Sequence, residues 1–60
     1  MEEQETDTIL VENGNIFDGT RKQFKDNYFN DAENSEIIDW CYMNGYSLTI
    51  NGKIIYRYDL

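Results

Sequence analysis

The sequence predicts an α+β fold, a small antiparallel sheet made of a C-terminal hairpin and an N-terminal strand, with two short helices on one face. Three observations carry that prediction. Asn51-Gly52 separates two alternating apolar runs, Thr20 and Gln23 have the spacing of a helix capping box, and Ser35 opens a stretch of helically spaced apolar residues that ends at Gly45. An acidic balance argues for disorder, but 40% apolar content, 15% aromatic content and the absence of Pro argue more strongly for a packed core.

Taken in order, residues 1–7 hold four carboxylates and no apolar side chain after Met1, which predicts a flexible acidic arm ahead of a single domain over residues 8–60. Thr8-Ile9-Leu10-Val11-Glu12 is β-rich, and Asn13-Gly14 is a two-residue hairpin signal. Ile16-Phe17 starts a return strand that Asp18-Gly19 is expected to cut short. The capping box predicts a helix from Arg21 to about Asn30, with Phe24 and Tyr28 one turn apart on its inner face and Phe29 beside them. After the break at Asn30–Asn34, Ser35 is the expected N-cap of a second helix running to Asn44, with Glu36 in its first turn. Ile37, Trp40 and Cys41 form its core stripe, widened by Ile38 and Tyr42, and Gly45 occupies the C′ position.

The last third reads as Tyr46–Ile50, a type I′ turn at Asn51-Gly52, and Lys53–Tyr58. That register pairs Ile50 with Lys53, Leu48 with Ile55 and Tyr46 with Arg57. Leu48, Ile50 and Ile55 then face the helices, while Ile54, Tyr56 and Tyr58 face away.

Sixty residues support one small core, with stability of about 3–5 kcal/mol expected in the absence of a staple. One Cys and no His exclude an internal disulfide, a zinc finger, a Ser-His-Asp triad and a Cys-His dyad. The carboxylates Glu36 and Asp39 lie one turn apart in a polar stretch with nothing to drive their pKa values apart, so no catalytic dyad is expected and the chain reads as a non-enzyme. A calcium loop starting at Asp26 fails, because Tyr28 and Asp31 fall where a ligand and a glycine are required. Cys41 reads as a buried small hydrophobe. No apolar run approaches a membrane span, and the acidic N-terminus is unlike a signal peptide, so a cytoplasmic protein with no cofactor, metal or membrane partner is expected.

The charge is large and unevenly placed. Twelve acids against five bases leave a net charge of −7. Glu12 and Asp18 close an acidic N-terminal block, and Asp26, Asp31, Glu33, Glu36 and Asp39 form a second, with Arg21, Lys22 and Lys25 between them. Carboxylates set roughly 5–6 Å apart at helical spacing are comparable to successive phosphates on a DNA strand. Such a surface repels nucleic acid, so direct nucleic-acid binding is not expected, and it attracts proteins built to bind DNA. The plainer reading of the same acids is solubility. Ile54, Tyr56 and Tyr58 offer a second surface, a homodimer or partner face if they are not core.

In its acidity, size and richness in Asn, Ile and Tyr, with Glu2, Glu3, Glu5, Asp7, Glu12 and the Asp26-to-Asp39 block, the chain resembles the small host-takeover proteins of lytic Bacillus-type phages. Among those are DNA mimics that block host DNA-binding proteins such as the nucleoid protein HU. The resemblance implies a non-enzymatic inhibitor occupying a basic DNA-binding groove. The basic turn at Arg21, Lys22 and Lys25 departs from a uniformly acidic mimic. A different class of function, an antitoxin-like or adaptor protein that binds a host enzyme, would use the aromatic hairpin face instead.

Overall fold

The structure, a computed structural model, describes residues 4–58. Strands β1 (Thr8–Glu12) and β2 (Phe17–Thr20) are followed by helices α1 (Arg21–Asn27) and α2 (Asn34–Asn44) and by strands β3 (Ser47–Ile50) and β4 (Lys53–Tyr56). All four strands form one antiparallel sheet in the order β2-β1-β3-β4, so the first strand lies at the centre beside the C-terminal hairpin. Both helices cover the same face, and the fold class is the α+β arrangement expected.

The core follows from strand alternation. Ile9 and Val11 of β1 and Leu48 and Ile50 of β3 point to the helices and are buried with Phe24, Ala32, Ile37 and Cys41. Around Phe24 the aromatic side chains interlock: Phe17 and Phe29 meet it edge-on and Tyr28 stacks on it at 4.8 Å. Trp40 is half-buried rather than central. It leans on Phe24 and Tyr46 from the rim, because the inward stripe of α2 is Ile37 and Cys41.

Several local expectations change. Asp18-Gly19 does not end the return strand: Phe17–Thr20 is a full edge strand, with Asp18 opposite Leu10 and Gly19 opposite Ile9. Its turn is longer than two residues, and the left-handed positions fall on Gly14 and Asn15. The capping box at Thr20 is present, with the Gln23 amide donating to the Thr20 hydroxyl at 3.2 Å and the Thr20 amide donating to Gln23 Oε1 at 2.9 Å. The first helix stops at Asn27, short of Asn30. The second is capped at Glu33, not Ser35, with the Glu33 amide donating to Glu36 Oε1 at 3.4 Å. Gly45 takes the left-handed C-terminal position at φ +76°.

In the C-terminal hairpin the turn and the Ile50–Lys53 pair are as expected, but Leu48 pairs with Tyr56 rather than Ile55. Thr49 faces Ile54, so Ile55 is the extra residue of a bulge. The bulge turns Tyr56 onto the core and leaves Ile55 exposed. The N-terminal arm also departs from expectation. Residues 1–3 lie outside the described residues, but Gln4 to Asp7 form a hydrogen-bonded turn packed on Arg21.

Candidate functional site

Each carboxylate singled out for partner binding is solvent-exposed, but they do not form one patch. Strand alternation puts Glu12 and Asp18 on the sheet face opposite the helices, since Ile9 and Val11 point inward and Asp18 sits across from Leu10. Asp26 lies in the last turn of α1, Asp31 and Glu33 lie in the connection to α2, and Glu36 and Asp39 lie on the outward side of α2. Glu33, Glu36 and Asp39 follow one another at three-residue intervals, which spaces their Cβ atoms roughly 5–6 Å apart. Two acidic surfaces result, one on each layer.

The cations explain why the basic turn does not break up this acidity. Arg21 is only 3% exposed. Its guanidinium donates to the Ala32 carbonyl, to Asn34 Oδ1 at 2.7 Å and to Asp7 Oδ2 at 3.1 Å, and its Nε donates to the Gln4 carbonyl at 3.1 Å. Lys25 reaches Glu5 at 3.4 Å, and Lys22 reaches Asp26 at 3.9 Å across one exposed helical turn. Lys53 and Arg57, on and just beyond the far edge strand β4, make no ion pair among the described residues.

Sequence reasoning missed the interior role of Arg21, although Arg21 and Phe24 stand three apart and so share the inward face of α1. It also read Asn51 only as a turn residue. The Asn51 side chain accepts from the Thr8 amide at 2.9 Å and donates to Asp7 Oδ1 at 3.0 Å, so Asp7 bridges the β3–β4 turn to Arg21. The Asp7 carboxyl is held below the usual carboxylate range by the Gln4 amide first, then by Asn51, against the opposing pull of desolvation, with Arg21 adding to the lowering.

The expected face of Ile54, Tyr56 and Tyr58 is divided. Ile54 is 58% exposed on the bare side of the sheet, whereas Tyr56 packs on the core and its ring approaches Tyr42 of α2 at 6.4 Å. Burial pushes the Tyr56 phenol upward, with Tyr42 adding to the shift. Tyr58 lies over Gly45 and donates its amide to Ser47 Oγ. Cys41 is fully buried, and burial raises its thiol to about 11, far from the thiolate range at neutral pH. Among the described residues no group of three or more His, Cys, Asp or Glu is placed to hold a metal ion, and no helix is long and apolar enough to cross a membrane. No protein-family model, curated protein or solved structure matches this chain.

Proposed function

We propose that this chain is a non-enzymatic, phage-type inhibitor that acts as an acidic DNA mimic and occupies the DNA-binding surface of a host nucleoid protein or other DNA-binding protein. The supporting observation is the fate of its cations. Arg21 is spent inside the fold and Lys22 and Lys25 are answered by Asp26 and Glu5, so the acids Glu12, Asp18, Asp31, Glu33, Glu36 and Asp39 face solvent without an ion pair among the described residues, while Lys53 and Arg57 stand apart at the β4 edge. Binding would draw on the counterion-dependent attraction that a basic groove offers DNA phosphates.

Affinity capture from a low-GC bacterial lysate tests this reading. Basic proteins should be retained at about 50 mM salt, released by about 300 mM and eluted by added duplex DNA. A Glu33→Gln, Glu36→Gln, Asp39→Asn variant should keep the fold and bind more than tenfold more weakly. A partner held equally at both salt levels and indifferent to DNA contradicts the mimic.

A second reading, an antitoxin-like adaptor or a homodimer built on apolar contacts, draws support from one specific observation. Tyr42 and Met43, 66% and 80% exposed at the end of α2, join the exposed Ile54, Ile55 and Tyr58 as large apolar side chains left wet. Its signature is a salt-insensitive partner, or a doubled mass by light scattering.

A further inference from the structure

Beside the turn that joins β1 to β2 lies an open hollow of about 450 Å3, lined by Leu10, Asn15, Ile16, Phe17 and Asp18. We propose that this hollow seats a single arginine or lysine side chain of the basic partner, an inference that rests on the mimic reading and deepens it. Both parts of such a side chain find a match. Leu10 and Ile16 provide apolar surface for the methylene stem, and Asp18 supplies the carboxylate for the cationic head. Asp18 is exposed and makes no ion pair among the described residues. It stands directly across the strand pair from Leu10, so the apolar and anionic parts share one face. Glu12 lies two residues beyond Leu10 on that face, about 7 Å along the strand, and adds a second negative charge near the entrance.

The wall is held in place before any ligand arrives. The Tyr28 hydroxyl donates to the Ile16 carbonyl at 3.3 Å, and on the opposite face of the sheet the Phe17 ring, braced edge-on by Phe24 at 5.1 Å and Tyr28 at 5.7 Å, anchors the strand that carries Asp18. A site of this kind loses little conformational freedom on binding. Charge decides among occupants: Asp18 and Glu12 repel phosphates, and a net charge of −7 opposes a second copy of the chain.

The test is an NMR titration of the full chain with N-acetyl-arginine amide, with N-acetyl-citrulline amide as the neutral isostere. The arginine probe should shift the amides of Leu10, Ile16, Phe17 and Asp18, and citrulline should not. Asp18→Asn should weaken the arginine response at least fivefold, whereas Glu5→Gln, which removes the same charge beside α1, should leave it unchanged. Equal responses to both probes, equal losses in both variants, or shifts that follow chain concentration without probe would each overturn the pocket. Shifts centred on Glu33, Glu36 and Asp39 would also overturn it while leaving the mimic standing. The mimic fails separately, if DNA does not displace the captured partner.

Discussion

Arg21 is the residue on which three chain segments converge: the N-terminal turn, the connection between the helices and the start of α2. Its donation to the Ala32 carbonyl accompanies an unusual backbone, since Ala32 is buried at φ +43° where a β-carbon is disfavoured. Arg21→Met keeps most of the volume and removes every donor, at an expected cost of at least about 1.5–3 kcal/mol, the range for a single hydrogen bond to a charged group. Urea titration would measure it, and a smaller loss than that of an exposed helix substitution would contradict the role. Asp7 makes the same latch pH-dependent. Its folded-state pKa is depressed, so its contribution is fully present above the unfolded carboxylate value of about 3.9 and is lost as pH falls through the lower folded value. Thermal midpoints of the wild type and Asp7→Asn should differ at pH 7 and converge in strong acid. None of this network was legible in the sequence, because a lysine- and arginine-bearing first turn reads as solvated unless its inward register with Phe24 is weighed.

At the scale of elements, the Thr20 capping box, the last turn and the pairing of β1 with the C-terminal hairpin were legible, whereas the cap of α2 at Glu33, the longer β1–β2 turn and the register of β4 were not. The Thr20 capping box and the Asn51-Gly52 turn need only neighbours in sequence, and both are present. Gly19 was read as a strand breaker, yet β2 continues through it, paired with Ile9 of β1, and Gln23 folds back over that position. A β-carbon there would collide with Gln23 Oε1. Gly19→Ala should therefore push the Gln23 side chain off the Thr20 amide. Gly19→Ala and Gln23→Ala should each cost about 0.5–1.5 kcal/mol, the range of a single net hydrogen bond. The double variant should cost clearly less than the sum, because both changes remove the same bond. Strict additivity in a double-mutant cycle would refute that account. The bulge at Ile55 was equally hidden, since alternation in the sequence is the same with or without an extra residue. It moves Tyr56 inward and divides the expected hairpin face between two sides of the molecule. The rim position of Trp40 follows the same logic of register. Phe24→Ala, which empties the centre of the aromatic cluster, should cost about 3–5 kcal/mol and exceed the cost of Trp40→Ala. The opposite order would mean that Trp40 holds the core.

For the whole molecule, one helix-covered sheet leaves a bare sheet face and an outer helix layer, and each carries exposed carboxylates. The charge blocks were visible in the sequence. Their assignment to opposite layers was not, because it depends on which strand face Glu12 and Asp18 take. With Arg21 buried and Lys22 and Lys25 paired, self-repulsion among the remaining acids should weaken the fold at low ionic strength. The thermal midpoint should accordingly rise as salt increases from about 10 to about 200 mM, as the screening length falls. A midpoint that drops over that range would mean that surface ion pairs dominate. The central claim is that this surface takes the place of DNA on a basic protein, and competition tests it most directly. A short labelled duplex is bound to the captured partner and its anisotropy is followed as the chain is added. Displacement predicts a fall to the value of the free duplex, with a midpoint that moves to higher chain concentration as salt is raised. A duplex that stays bound, with anisotropy steady or rising as a ternary complex forms, would contradict the claim.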